Sequence, residues 1–260
     1  NAGSAHIGRL GSLDNIAKAK SEIVTGLKSD GTFISQNNER IKKFANFDGE
    51  KIFYSLEDVD VLERKPSYSK FVYDGKAYEL NVEGDYNIEN SLAAINLGVK
   101  LGMTYDEIKK GLAAYKPIEK RWEVEEIGGY KVINDSYNAN PESMKAAAST
   151  FLQLYKNPVL VLGNMGELGE MERELHRGVG EYLAKISPKK AKFLTVGNLA
   201  VEIGKPLEDV GLFVKNFENN DEVSKYILAN INAGNTIFLK ASRSMKFEEI
   251  IEKIKGEVRV

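Results

Sequence analysis

Val132-Ile133-Asn134-Asp135-Ser136-Tyr137-Asn138-Ala139-Asn140-Pro141-Glu142-Ser143-Met144 reads as one β-strand handing over to one α-helix. The mostly apolar run up to Asn134 predicts a strand at 130–134. Asn140 then supplies an N-cap, and Pro141 sits at the first helical position, where a missing N–H costs nothing and φ is already helical. The same handover recurs downstream. Strands are expected at 130–134, 158–162, 192–196, 211–214 and 236–240, and helices at 141–155, 171–186, 198–205, 221–232 and 246–255. Five βα units in about 140 residues specify an open, mostly parallel, doubly wound α/β sheet. In such a sheet a ligand binds outside the carboxyl ends of the strands. The loops at those ends carry Asn134-Asp135-Ser136, Gly163-Asn164-Met165-Gly166, Gly197-Asn198 and Lys240-Ala241-Ser242-Arg243. Their small, polar residues suit an anionic or peptide-like ligand.

Upstream the rhythm differs. A first helix is expected at 13–27, with Leu13, Ile16, Ala17, Ile23, Val24 and Leu27 on one face at the 3.6 period and Lys20 at the centre of that stripe. Asp14 is its N-cap or a first-turn acid. Short strands follow at 33–35, 52–55, 70–73 and 77–82, the last two joined by an Asp74-Gly75 hairpin turn. A helix at 87–101 places Ile88, Leu92, Ile95 and Val99 on one face. Thr104 and Glu107 form a capping box that opens a helix carrying Ile108, Leu112 and Tyr115. Pro117 is a natural boundary, so the chain is expected to divide into domains at 1–116 and 117–260.

Composition narrows the function classes. Hydrophobic residues make up 42% of the 260 and charged residues 28%, a globular and not a disordered profile. Apolar runs are only a few residues long, far short of the ~20 that span a membrane, and no signal-peptide pattern is present. The absence of cysteine excludes disulfides, thiolate metal sites and a cysteine nucleophile. It fits a reducing compartment, so a cytoplasmic location is expected. With 36 basic and 38 acidic residues well mixed, a nucleic-acid partner is not expected. The first residues lack an initiator Met and read like the interior of a longer protein.

Several residues invite chemistry and also admit a plainer role. A lysine on an apolar helix face either snorkels outward or is neutralised, paired or modified. A neutral Lys20 amine could add carbon dioxide, giving a carbamate that offers oxygen ligands to Mg²⁺. His6, just before that helix, could face the same site or be structural. Asn90 is a first-turn polar residue or a reader of an adenine edge. Arg121 could clamp phosphates or be solvated, and Asp135 could bond ribose hydroxyls or cap a turn. The 163–169 loop reads G-x-x-G-x-x-G, not the dinucleotide G-x-G-x-x-G, and equally suits a flexible βα loop. The chain contains no G-x-x-x-x-G-K-[ST] phosphate loop.

Taken together, Ala5-His6-Ile7-Gly8-Arg9-Leu10-Gly11-Ser12, Asn15-Ile16-Ala17-Lys18-Ala19-Lys20, residues 134–144 and 162–169, His176 and Lys240-Ala241-Ser242-Arg243-Ser244-Met245 resemble the Mur ligases of peptidoglycan synthesis. The likeness is most specific in 134–144, to the branch that joins D-Ala-D-Ala to UDP-N-acetylmuramoyl-tripeptide. The resemblance implies the remainder of a central ATPase domain at 1–116 and a Rossmann-like C-terminal domain at 117–260. It implies ATP and Mg²⁺ as cofactors and an acyl-phosphate intermediate. By position it assigns Lys20 and His6 to catalysis and metal, Lys20 as a carbamate. Asn87, Asn90, Arg121 and Asp135 fall to the nucleotide, and Asn138, Asn140, Ser242 and Arg243 to the amino-acid substrate. The family's phosphate loop and UDP-binding domain should precede residue 1, so the chain alone is expected to be an incomplete catalyst that needs that missing part. Departures are Asn164 where Asp is expected, Ala241 where Gly is expected, and Ser35, Asn37 and Asn38 in place of Asn-x-Asp-Asp. Competing readings are another Mur ligase or a folylpolyglutamate synthase-like ligase and, from a different class, a non-catalytic ligand-binding module.

Overall fold

The structure is a computed structural model that describes residues 2–4, 6–117 and 120–258. It divides into two compact units, Asn1–Lys116 and Pro117–Val260.

The first unit runs α1 (Ile7–Leu10), α2 (Leu13–Ser21), a 3₁₀ turn (Glu22–Gly26), β1 (Thr32–Gln36), α3 (Glu39–Phe44) and β2 (Glu50–Tyr54). It continues through β3 (Val59–Lys65), β4 (Tyr68–Tyr73), β5 (Lys76–Leu80), α4 (Asp85–Lys100) and α5 (Tyr105–Ala113). β1 and β2 pair in parallel, and β3-β4-β5 form an antiparallel meander. Its tight turn is Asp74-Gly75, both at positive φ (49° and 67°), the conformation of a hairpin turn. The core forms where Ile88, Leu92 and Ile95 of α4 meet Phe71, Tyr78 and Leu80 of the meander. The Thr104–Glu107 capping box opens α5 as expected. Ser12, not Asp14, caps α2; Asp14 instead bridges to Arg40 and Lys43 of α3.

Three expectations for this unit are corrected. The first helix stops at Ser21 and tightens into a 3₁₀ turn, so the predicted stripe breaks. Ile16, Ala17, Ser21 and Val24 are buried, whereas Ile23 is 67% exposed. Lys20, one turn before Ile23 on the same flank, is exposed and not central to a buried face. On α4 the buried stripe runs through Ile88, Ser91, Leu92, Ile95 and Gly98, and Val99 lies outside it. β3 and α3 were not expected: β3 alternates half-buried with exposed, largely charged residues, and α3 has six residues.

The second unit is the expected doubly wound sheet. It comprises β6 (Glu123–Ile127), β7 (Tyr130–Asn134), α6 (Pro141–Leu154), β8 (Pro158–Gly163), α7 (Glu172–Ile186), β9 (Lys192–Val196), α8 (Val201–Asp209), β10 (Phe213–Phe217), α9 (Asn220–Asn230), β11 (Thr236–Lys240) and α10 (Glu248–Val258). The strand order is β10-β9-β8-β11-β7-β6, all parallel except β6. α6, α7 and α8 pack side by side, while α9 and α10 pack together and bury Val223, Ile227, Ile250 and Ile254 against the other face. With both faces covered, every residue of β8 and β11 is buried, the pattern of central parallel strands. β8 and β11 are neighbours, yet the chain leaves β8 toward α7 and β11 toward α10, on opposite faces. Their carboxyl ends therefore lie at a topological switch point, the place where ligands of such sheets bind.

Two boundaries move for physical reasons. Helix α8 runs through Pro206 to Asp209, beyond the expected end. Gly211 (φ 73°) then closes it, and the Leu212 N–H bonds to the Leu207 carbonyl, which delays β10 to Phe213. β6, with its sequence Glu-Val-Glu-Glu-Ile, escaped the pattern because an edge strand has one partner and carries charge.

Candidate functional site

Three loops meet at the carboxyl edge of the large sheet, and Asn164 stitches them together. Its Oδ1 accepts from the Leu199 and Ala200 N–H groups at 3.1 and 2.8 Å. Its Nδ2 donates to Asn198 Oδ1 at 3.0 Å, and its carbonyl accepts from the Ser242 N–H at 3.0 Å. The loops after β8, β9 and β11 are thus one hydrogen-bonded body. Close approach demands glycine twice. A Cβ on Gly197 (φ 98°) would stand 2.8 Å from the Asn164 amide, and one on Gly163 would stand 2.7 Å from Ala241 Cβ. The expected glycine at 241 is dispensable here because Gly163 leaves room for the Ala241 methyl.

His176 braces the same body from beneath. It is fully buried; its Nε2 accepts from the Met165 N–H at 2.8 Å, and its Nδ1–H donates to the Glu172 carbonyl at 2.6 Å. That pairing needs the neutral imidazole. Burial pushes its pKa below the usual histidine value, against the opposing pull of Glu172 and Glu202. The unfolded chain therefore binds a proton near pH 6.5 that the folded chain refuses. This contribution to stability is full above about pH 6.5 and is lost as pH falls toward the depressed folded value. Melting temperatures between pH 7 and 5 should fall in the wild type, and the slope should flatten in His176→Gln, which keeps an acceptor but cannot titrate. An unchanged slope would remove His176 from this role.

Around that frame the structure brings the six second-unit candidates to one edge. Asp135 follows β7, and its Oδ2 pairs with Lys240 Nζ at 2.5 Å, the two side chains 14% and 4% exposed. Lys240 also donates to the carbonyls of Asp135 (3.4 Å) and Asn138 (3.3 Å). The Arg121 guanidinium is exposed and lies 4.3 Å from the centre of the Tyr137 ring, a cation–π contact. The Tyr137 N–H donates to the Lys120 carbonyl, tying the strand entry to this loop. Ser242 is buried and its Oγ lies 3.1 Å from Ser244 Oγ. Arg243 reaches Glu248, which also holds Lys120. Asn138 is exposed. Asn140, two residues on, caps α6, its Oδ1 accepting from the Ser143 N–H. Sequence reasoning missed Lys240 as a partner of Asp135. Its signal was a lone lysine at the end of an otherwise apolar strand.

In the first unit, Asn87 and Asn90 border a groove of about 400 Å³ between α4 and α5. Leu80, Ala94, Met103, Ile108, Leu112 and Tyr115 supply its apolar surface. The Asn87 amide donates to the Glu83 carbonyl at 2.6 Å, and Asn90 is exposed. An apolar slot with amides at its rim suits a flat heteroaromatic ring. His6 and Lys20 are both exposed. Among the described residues no group of three or more His, Cys, Asp or Glu side chains could hold a metal. The described residues therefore do not by themselves present a ligand set of this kind.

Comparisons with known proteins give a consistent picture. Residues 1–98 match the Mur ligase middle domain, and residues 120–243 match the Mur ligase, glutamate ligase domain. The UDP-N-acetylmuramoyl-tripeptide–D-alanyl-D-alanine ligase of Bacillus subtilis is 35% identical over 98% of this chain, which covers 58% of that protein. The Escherichia coli ligase of the same name is 29% identical, again over 98% of this chain and 58% of its own length. Among solved structures, MurF from Acinetobacter baumannii superposes with a TM-score of 0.86 at 26% identity, over 98% of this chain and 58% of that one. MurF ligase from Thermotoga maritima in complex with ADP gives 0.83 at 22% identity, over 100% and 61%, a likeness of fold. The chain thus spans less than two thirds of these relatives.

Proposed function

The chain belongs to the Mur ligase family, and from that membership we propose that it is the greater part of a cytoplasmic ATP-dependent amide ligase that adds D-Ala-D-Ala to UDP-N-acetylmuramoyl-tripeptide. ATP phosphorylates the tripeptide carboxylate, the dipeptide amine attacks the activated carbonyl, and phosphate leaves as the amide forms. The observation that carries this reading is the loop after β7, where Asp135 and Asn138 are held at the switch-point edge beside Arg121 and Arg243. In this reading Asn87 and Asn90 meet the base in the α4–α5 groove. Arg121 and Asp135 meet the ribose and phosphates, and Asn138, Ser242 and Arg243 face the amino-acid substrate. Asn140 supports that loop as the cap of α6, and its amide Nδ2 is proposed to face the same substrate.

His6 and Lys20 remain the chain's candidates for Mg²⁺, Lys20 as a carbamate. Because they stand exposed and without a third described ligand, the rest of the set, like the phosphate loop, is proposed to come from sequence beyond these 260 residues. No helix among the described residues is long and apolar enough to cross a membrane, in keeping with a ligase that works on nucleotide-linked precursors.

The test is a substrate panel. The chain, joined to the UDP-binding and phosphate-loop portions of its Bacillus subtilis relative, is incubated with ATP and UDP-N-acetylmuramoyl-tripeptide plus D-Ala-D-Ala, L-Ala or L-Glu. Amide product and ADP in equal amounts with D-Ala-D-Ala alone are expected. ATP-dependent product with L-Ala or L-Glu in place of D-Ala-D-Ala would transfer the chain to another branch of the superfamily.

A further inference from the structure

We infer that Lys240 is the positioning residue that fixes the loop of residues 135–138, and with it the direction in which Asp135 presents its carboxylate. The inference rests on the proposed function only in what it says the loop is for.

Lys240 ends β11, and Leu239 is in register with Asn134 of neighbouring β7. The lysine therefore emerges beside the chain that leaves β7. Its side chain is 4% exposed, so each ammonium proton needs an acceptor. It finds three: Asp135 Oδ2 at 2.5 Å, the Asp135 carbonyl at 3.4 Å and the Asn138 carbonyl at 3.3 Å. All three belong to a single stretch of four residues. The Asp135 N–H is meanwhile held by the Leu239 carbonyl at 2.9 Å. The loop is thus gripped at both ends by one strand terminus. Oδ2 is committed to Lys240, which leaves Oδ1 as the oxygen to meet a ligand.

A stability role alone explains this poorly. A buried ion pair gains little over apolar side chains of the same volume, and every other position of β11 is apolar or Thr. What lysine adds is geometry. One cation orders two carbonyls and a carboxylate that would otherwise turn toward water, and an apolar residue offers none of these contacts. The short polar loop from Asp135 to Asn138 has no regular structure of its own; Asn134 Oδ1 holds Ser136 locally, accepting from its N–H and Oγ at 3.2 and 2.6 Å, and among the described residues Lys240 alone ties the Asp135 carboxylate to the Asn138 carbonyl.

The experiment uses the 260-residue chain labelled with ¹⁵N. In the wild type, the Lys240 ammonium should give a slowly exchanging signal correlated with its own Nζ, as a shielded, fully bonded group does. Lys240→Met should displace and broaden the amides of residues 135–138 while those of β9 and α8 stay in place, and Lys240→Arg should recover most of their positions. ADP, added as the probe, should bind roughly ten-fold more weakly to Lys240→Met and within about three-fold of wild type to Lys240→Arg, the scale of one charge-assisted contact. A rapidly exchanging Lys240 ammonium, or loop amides unmoved in Lys240→Met, would overturn the inference; should that variant not fold, the wild-type ammonium signal and Lys240→Arg still decide it. If the loop amides move but neither Lys240→Met nor Asp135→Asn changes ADP binding, Lys240 still sets the loop, and the nucleotide role of Asp135 falls instead.

Discussion

Asn164→Ala should lower the melting temperature of the second unit by on the order of 10 °C. The substitution removes an acceptor from two backbone N–H groups, those of Leu199 and buried Ala200, and a donor from Asn198. Each buried donor left without a partner costs about 1–3 kcal/mol, so a total of about 3–5 kcal/mol is expected. Alanine also leaves a void beside Gly197, whose backbone approaches Asn164 too closely for any larger residue at 197. Asn164→Asp is the informative partner. A carboxylate still accepts from both N–H groups, and the exposed Asn198 can turn its amide over to donate. That variant should lie within about 1 kcal/mol of wild type by thermal or urea unfolding. This tolerance explains how Asn stands where the family resemblance led to Asp. If Asn164→Ala melted like wild type, the three loops would not be one hydrogen-bonded body.

Arg121→Ala and Asp135→Ala should both raise the apparent ATP constant of the assembled ligase by about ten- to a hundred-fold, the scale of losing one contact to a charged partner at about 1.5–3 kcal/mol. Their stabilities should differ. Arg121 is exposed and touches the Tyr137 ring, so its loss should leave the melting temperature nearly unchanged. Asp135→Ala leaves the Lys240 ammonium buried without its carboxylate, a change that costs about 3–5 kcal/mol. Asp135→Asn keeps an acceptor for Lys240 and should fold better than the alanine variant while still weakening ATP use. Equal ATP constants in wild type and Arg121→Ala would return that residue to a solvated surface role.

Much of the second unit was legible because its physics is local. Apolar runs bounded by turn residues gave the parallel strands, and Asn140-Pro141 marked the start of α6 to the residue. The loops after β7, β8 and β11 could be named as the site because strand direction alone dictates which end carries it. Elements with little burial were not legible. β6 and β3 are rich in charge and little buried, and α3 is too short to show a period. Lys20 misled for a related reason. Helical periodicity assumes that the helix continues, and the switch to a 3₁₀ turn at Glu22 moves Ile23 outward and opens the flank on which Lys20 lies. Lys240 was hidden differently: its partner lies 105 positions away in sequence, a pairing that follows from the order of strands and not from spacing.

The most direct measurement is an ADP titration of the ¹⁵N-labelled chain followed amide by amide. Saturable shifts should concentrate at Asn87, Asn90, Ser91 and Tyr115, which line the α4–α5 groove, and at Arg121 and residues 135–138. Amides of the β3-β4 turn and of β10 should not move. Shifts confined to surfaces away from both sets, or an ADP response unaltered by Arg121→Ala and Asp135→Asn, would contradict the proposed nucleotide contacts of each unit.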